Sequence, residues 1–138
     1  MKERSERIAT RAIILSDNKV LLGKRGRGIC ANEYALIGGK PDEGETPEQA
    51  IVREVKEETG LNLINPVLWK EESNDRTIPG QVWHTYCFIG ETEGTLKLKE
   101  DEISEIKYVG RGDLESVAIA FNHKEIIAEY FEKYLRLK

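Results

Sequence analysis

Three glutamates, Glu54, Glu57 and Glu58, fall within five positions of the segment REVKEETG at residues 53–60. On a helix their carboxylates crowd together, and like charges at i,i+3 and i,i+4 cost about 0.2–0.5 kcal/mol per pair. Arg53 is adjacent in sequence, but its Cβ points about 100° away from that of Glu54. A divalent cation is the stronger candidate for relieving the repulsion, because hard cations take carboxylate and main-chain oxygens as ligands. The alternative is a solvated acidic helix face, which is common in highly charged proteins.

Local signals place these glutamates on a helix. Thr46 is a candidate N-cap, Pro47 suits the first helical position, and Gln49 completes a Thr-x-x-Gln capping box. Gly60 is typical of the position just after a helix. The sequence therefore predicts a helix over about Pro47–Thr59. An apolar side facing a sheet is expected from Ile51, Val52 and Val55.

Strands are predicted on both sides of this helix, and a second helix closes the chain. Two strands in ATRAIILSDNKVLLGKR are joined by a turn at Ser16–Lys19, and a short strand YALI leads into a tight glycine loop, GGKPDEGE. Later strands are LNLINPVLWKEE, QVWHTYCFIGE and EIKYV, and the loop SNDRTIPG separates the first two. The last helix begins near Asn122 or His123 and ends near Leu135. This order predicts an α/β (α+β) fold, with a central mixed β-sheet in an α/β/α sandwich.

Composition limits the classes of function. The 138 residues suit one domain, residues 1–138, and the net charge of −4 argues against a broad basic face for polynucleotides or anionic membranes. A small phosphate-bearing ligand needs only a few local cations. The apolar run AIIL is too short for a signal peptide or a membrane span. Cys30 and Cys87 are expected to be free thiols in a reducing cytoplasm.

A zinc site is the alternative metal centre. His84 lies three residues before Cys87, and His123 and Cys30 would have to complete the ligand set. Positions three apart on a strand point to opposite faces, and the chain has no close Cys or His pair of the kind found in zinc sites. We interpret these four side chains as ordinary core or surface residues.

The stretch GGKPDEGETPEQAIVREVKEETGL, residues 38–61, resembles the signature of the Nudix hydrolase family at every specified position. Gly39, Glu45, the pair Arg53–Glu54, and the later Glu57–Glu58 all have the family's spacing. Outside it, VLLGKR, ANEYALIGG and GETPEQAIVRE are similar to mutator-type (MutT-like) nucleoside triphosphate pyrophosphohydrolases. IAFNHKEII is similar to the closing helix of small ADP-ribose pyrophosphatase-like members. Ile37 departs from the proline that most relatives carry before the glycine pair.

The resemblance implies hydrolysis of a nucleoside diphosphate linked to another group, by attack of water on a phosphorus of the pyrophosphate. Glu54, Glu57 and Glu58 would bind Mg²⁺ or Mn²⁺, with the Gly38 carbonyl as a further ligand. Arg53 and Glu45 would pair to hold the loop and the helix in register. Such chemistry needs in-line positioning, charge neutralisation and an activated water rather than covalent participation by the protein.

The general base is left open between a helix glutamate and a later one. The segment KEDEISEIKYV offers Glu102 and Glu105, and Glu102 is the first choice because it lies in the loop before the strand. For either residue the alternative is a solvated acidic loop.

Candidate substrate-binding residues are Arg25, Gly39 and Asn122. Arg25 stands where mutator-type relatives carry a substrate-contacting arginine, although an arginine at a strand end is often only solvated. Asn122 matches a relative's base-reading asparagine, but NHKE is also an Asn-x-x-Glu capping box, and we favour the cap. Four other candidates, each with an ordinary core or surface alternative, are Trp69, Trp83 and Tyr86 for base stacking and Arg76 for a phosphate.

The sequence leaves three candidate functions for this chain. The first is a pyrophosphohydrolase acting on a small nucleotide, with the sequence leaning towards nucleoside triphosphates and the closing helix towards ADP-ribose or a nucleotide sugar. The second is a non-catalytic nucleotide-sensing module, which in such families usually lacks a metal-binding carboxylate. The third is an α/β domain whose acidic helix is incidental. Whether the chain forms a homodimer stays open.

Overall fold

A computed structural model describes residues 7–99 and 102–135, so that the first six residues, and Glu100 and Asp101 of the predicted acidic loop, lie outside the described residues. The strands are β1 (Arg7–Ser16), β2 (Lys19–Arg25), β3 (Tyr34–Gly39), β4 (Asn62–Asp75), β5 (Trp83–Glu93) and β6 (Ile103–Val109). The helices are α1 (Pro47–Thr59) and α2 (His123–Tyr130); a 3-10 turn covers Arg111–Ser116, and a π-helical turn, Phe131–Leu135, continues α2.

The strands form one mixed sheet in the order β4-β5-β1-β3-β2-β6. The central strand β1 runs parallel to β5 and antiparallel to β3. The predicted hairpin between β1 and β2 is confirmed: Ser16 pairs with Lys19, and Asp17 and Asn18 have φ of 52° and 61°. Positive φ at both central residues is what a type I′ turn requires, and Asp and Asn tolerate it well.

A helix covers each face of the sheet, as the predicted α/β/α layering requires. On one face α1 packs Ile51 and Val55 against Ile14 and Phe88. On the other face α2 and the π-helical turn pack on β1–β3, with Phe131 fully buried. Val52 was predicted on the packed side of α1, but it is 38% exposed because it lies at the edge of the apolar stripe.

Other boundaries differ from the sequence-based expectation. β3 continues through Gly38 and Gly39, which were predicted to form a tight loop, and the connecting segment begins only at Lys40. β4 continues to Asp75 and takes up the first three residues of the predicted loop, because it pairs with the long β5 as far as Trp83. Within the described residues neither helix combines the length and the hydropathy that crossing a bilayer demands.

Candidate active site

Helix α1 is fixed at both ends. The Thr46 hydroxyl accepts a hydrogen bond from the Gln49 backbone N–H at 3.1 Å, and the Gln49 side chain accepts one from the Thr46 N–H at 2.9 Å. At the other end Gly60 has φ 80° and donates its N–H to the Lys56 carbonyl. The predicted capping box is confirmed. The acidic residues of the last two turns are therefore presented by a rigid element.

The three glutamates differ in environment. Glu58 is buried, Glu54 is 15% exposed and Glu57 is 46% exposed. The side chains of Glu54 and Glu58 are hydrogen bonded to each other. Burial, followed by this bond and by nearby carboxylates, raises the pKa of Glu58 well above its usual value, and burial also raises the pKa of Glu54. Without a cation, the pair holds a proton in place of a second negative charge.

Arg53 is the centre of the ion-pair network around α1. Its guanidinium binds the two carboxylate oxygens of Glu45 at 2.7 and 3.0 Å, which confirms the predicted pair. Nη1 also lies 3.2 Å from Glu54 Oε2 and 3.1 Å from Glu57 Oε1. The Cβ of Arg53 points away from that of Glu54, but its long side chain curls back to Glu54 and Glu57. Part of the carboxylate repulsion is thus relieved by the protein itself.

Gly38 and Gly39 are required by close approach rather than by a turn. A Cβ on Gly38 would lie 2.0 Å from the Thr10 carbonyl oxygen, and one on Gly39 would lie 2.3 Å from Glu54 Oε2. The missing side chain lets Gly38 approach the backbone of β1 and lets Gly39 approach the Glu54 carboxylate of α1. The glycine pair therefore forms one wall of the acidic site.

A cavity of about 220 Å³ lies beside this wall. Its lining includes Gly38, Glu58, Glu102, Arg25 and Arg27. The chemistry of this set fits a hard divalent cation, since it offers carboxylate oxygens and Glu58 carries a proton that a cation can displace. Within residues 7–99 and 102–135 no three His, Cys, Asp or Glu side chains are already gathered as metal ligands. Arg53 holds Glu54 and Glu57 by one oxygen each, so a cation would compete with it for these carboxylates.

The zinc alternative has no support among those same residues. His84 Nε2 lies 2.6 Å from Glu71 Oε2 and its ring is 4.8 Å from that of Tyr86. His123 accepts a hydrogen bond from the Leu36 backbone N–H. Both histidines thus have other partners, and Cys87 is buried in the core on the α2 face of the sheet.

A second cavity, of about 430 Å³, adjoins the first, and Arg25 and Gly38 line both. The volume is in the usual range for small-molecule sites. Arg25 lies with its guanidinium 4.8 Å from the centre of the Phe121 ring and donates from Nε to the Ile29 carbonyl. Gly39 also lines this cavity. Two of the predicted substrate-binding residues therefore lie between the acidic site and a pocket of nucleoside size.

Asn122 also lines the larger cavity, but it does not cap α2 as we had favoured. Its side chain makes no capping hydrogen bond. Instead its Oδ1 accepts a hydrogen bond from Arg11 Nη1 at 3.1 Å, and its Nδ2 lies 3.5 Å from Glu72 Oε1. The buried cation of Arg11 competes successfully for the amide oxygen.

The two candidate bases are in different places. Glu102 lines the smaller cavity with Glu58, and its Oε2 is 3.2 Å from Arg27 Nη2. Glu105 accepts a hydrogen bond from the Tyr34 hydroxyl, which is also the first cause of its lowered pKa. Of the two, the geometry favours Glu102.

Of the aromatic candidates for base stacking, only one lines the larger cavity. Trp83 lines the larger cavity, with Lys40 Nζ 5.9 Å from its ring. Trp69 packs edge-on against Tyr130, and Tyr86 packs on the α1-side core. Arg76 is not among the residues that line the cavity, although its neighbours Asp75 and Thr77 are.

The lining residues that were not singled out as substrate contacts from the sequence include Arg11, Phe121 and His123. Arg11 gave a usable signal, because it is a lone cation within the apolar strand ATRAIIL and is 8% exposed. A buried cation within a core strand usually has a specific partner.

The raised pKa of Glu58 predicts that the metal-free protein loses stability as the pH rises above neutral. Above the usual glutamate pKa of about 4.3, the folded state binds more protons than the unfolded state. The free energy of unfolding then falls by up to about 1.4 kcal/mol per pH unit until the folded-state pKa is passed. Thermal unfolding in EDTA from about pH 7 to about pH 8.5 measures this slope, because above the usual histidine pKa of about 6.5 the buried neutral His123 adds no opposing slope. Glu58→Gln should flatten it, whereas Glu48→Gln, an exposed change on the same helix, should not. Equal slopes for wild type and Glu58→Gln would contradict the assignment.

Comparison with known proteins gives a consistent result. A family model described as NUDIX domain matches residues 6–130. The chain is 37% identical over 124 residues to an ADP-ribose pyrophosphatase from Methanocaldococcus jannaschii, covering 89% of this chain and 72% of the relative. It is 35% identical over 91 residues to the 8-oxo-dGTP diphosphatase of Escherichia coli, covering 63% of this chain and 70% of the relative. The NUDIX domain of Shewanella oneidensis NrtR, solved with ADP ribose, has the same fold, with a TM-score of 0.83 at 22% identity over 99% of this chain and 91% of that one.

Proposed function

Because the chain belongs to the Nudix family, whose hydrolases act on pyrophosphate bonds, we propose that it cleaves the diphosphate linkage of a nucleoside diphosphate derivative with Mg²⁺ or Mn²⁺ as cofactor. This proposal depends on one observation. The glutamates of α1 lie beside the glycine pair of β3, next to a cavity of nucleoside size.

Each residue of the acidic site has a role in this proposal. Glu54, Glu57 and Glu58, with the Gly38 carbonyl, would hold the cation, which supplies charge neutralisation and a more acidic bound water. Glu102, on the same cavity, takes the proton from the attacking water.

The basic residues have supporting roles. Arg25 stands between the two cavities and binds the phosphates. Arg53 does not touch the substrate. Through Glu45 it holds the loop before α1 against the helix, so that the carboxylates keep their positions.

The choice of substrate rests on the comparisons. The sequence pattern at residues 31–54 leans towards nucleoside triphosphates, and similarity to a bacterial 8-oxo-dGTP diphosphatase supports that candidate. The similarity to an archaeal ADP-ribose pyrophosphatase covers much more of the chain. We therefore propose ADP-ribose as the first substrate to test and nucleoside triphosphates as the second.

A substrate panel with product identification tests this function. ADP-ribose, a nucleotide sugar and several nucleoside triphosphates are incubated with Mg²⁺ or with EDTA, and the products are identified by mass spectrometry. We expect Mg²⁺-dependent release of AMP and ribose 5-phosphate from ADP-ribose. Release of pyrophosphate from a triphosphate would favour the second substrate. Tight nucleotide binding without turnover of any compound would support a sensing module instead.

A further inference from the structure

The His123 imidazole is buried beside the larger cavity but uses only one of its two ring nitrogens. The residue is 6% exposed, and Nδ1 accepts a hydrogen bond of 3.0 Å from the Leu36 backbone N–H. For Nε2, residues 7–99 and 102–135 provide no hydrogen-bond partner. One polar atom of an otherwise enclosed side chain is thus available.

The hydrogen bond at Nδ1 fixes the tautomer. Because a backbone N–H can only donate, Nδ1 is unprotonated, and the single proton of the neutral ring lies on Nε2. Burial, together with the cations of Arg11 and Arg25, lowers the pKa of His123 well below its usual value, so that the ring stays neutral. His123 therefore presents an uncharged N–H donor rather than a cation.

His123 borders the larger cavity. In the described part of the chain every fully buried side-chain nitrogen or oxygen has a partner, so Nε2 is not sealed in the core. His123 lines the 430 Å³ cavity, and its ring lies 5.3 Å from that of Phe121. A ligand that fills the cavity removes water from Nε2 and must offer an acceptor in exchange.

The neighbouring amide of Asn122 has protein partners on both sides. Arginine carries no acceptor, so the atom of Asn122 that faces Arg11 is the oxygen, and the amide nitrogen lies on the other side, towards Glu72. The donor for a ligand at this place is therefore His123 Nε2, which favours a ligand edge that carries an acceptor.

We propose that His123 is a specificity-determining residue that donates a hydrogen bond from Nε2 to a ring nitrogen of the substrate's adenine base. The inference rests on the proposed function, in which the phosphates lie at the acidic site and the base enters the larger cavity. The Phe121 ring and the apolar residues Ile29 and Ile78 supply the remaining contacts for a planar base.

Two substitutions of His123 test the acceptor role of Nδ1 and the donor role of Nε2 separately. Asparagine places an amide oxygen near the position of Nδ1, so His123→Asn keeps the acceptor for Leu36 and loses the donor. Glutamine extends an amide N–H towards the position of Nε2, so His123→Gln keeps the donor and loses the acceptor. A purely structural role predicts that only His123→Gln is impaired, chiefly in its Tm.

The measurement is the Kd of the α,β-methylene analogue of ADP-ribose, by calorimetry with Mg²⁺. We expect binding to weaken about tenfold in His123→Asn, the usual effect of one hydrogen bond, and to stay within about threefold of wild type in His123→Gln. In turnover assays the His123→Asn effect should fall on KM rather than on kcat. Equal affinity of wild type and His123→Asn, or no binding of the analogue to wild type, would overturn the inference.

A change in the ligand provides a test that needs no variant. The 1-deaza, 3-deaza and 7-deaza adenine forms of the same analogue each replace one ring nitrogen by a C–H group. One of them should bind wild type about tenfold more weakly, and the same one should show no further loss in His123→Asn. Equal binding of all three to wild type would overturn the inference. Hydrolysis of any nucleotide in the substrate panel would stand independently, so failure here is distinguishable from failure of the proposed function.

Discussion

Replacing Glu58 by glutamine should lower Mg²⁺-dependent turnover by roughly 10³-fold, the size of effect seen when one preorganised electrostatic group is removed from an active site. Glu58 is the most buried of the three glutamates, and its side chain is hydrogen bonded to that of Glu54. A neutral amide at this position has no proton to exchange for a cation. Metal affinity should fall together with the rate, and the same is expected for Glu57→Gln.

Glu48→Gln is the matched control for this prediction, because Glu48 lies in the exposed first turn of the same helix. It should keep wild-type activity. Steady-state kinetics at several Mg²⁺ concentrations measures both effects. Glu58→Gln turnover within a few-fold of wild type, at the same Mg²⁺ requirement, would show that the acidic helix face is incidental.

Glu102→Gln should lower kcat by about 10²-fold while the affinity for the metal ion stays near that of wild type, as expected for loss of a general base. Glu102 lines the same cavity as Glu58, and its carboxylate is held by Arg27 at 3.2 Å. An amide at this position can still hydrogen bond, but it cannot take a proton from water. The split between kcat and metal affinity distinguishes this role from that of the α1 glutamates.

Glu105→Gln is the comparison for this second prediction. Glu105 lies three residues after Glu102 in the chain and accepts a hydrogen bond from the Tyr34 hydroxyl. Its replacement should leave kcat within about threefold of wild type. If Glu105→Gln is the slower variant, Glu105 is the base instead of Glu102. If both variants are fully active, neither is the base and a helix glutamate has that role.

The features that follow from local chemistry were predictable from sequence. Helix α1 was predicted with its observed boundaries, because Thr46, Pro47, Gln49 and Gly60 act within the helix ends themselves. The hairpin turn at Asp17 and Asn18 depends on its own backbone preference. The resemblance to the family signature also implied the pairing of Arg53 with Glu45.

The features that depend on distant contacts were not predictable. Arg11 and Asn122 are 111 positions apart, and only the packing of α2 on β1 brings them together, so the capping interpretation of Asn122 was wrong. The glycine pair looked like a turn because glycine is common in turns. Its actual reason is the approach of Thr10 and Glu54, which no local pattern shows. The donor of His123 likewise depends on a contact with β3.

The most direct test of the account is the location of a bound cation. Crystals grown with Mn²⁺ and the α,β-methylene analogue of ADP-ribose would show the ion by anomalous scattering. We predict a peak about 2.0–2.2 Å from carboxylate oxygens of Glu54, Glu57 or Glu58, with Arg53 still bonded to Glu45 but released from the other glutamates. A map without a peak at α1, with Arg53 still bonded to Glu54 and Glu57, would contradict the account.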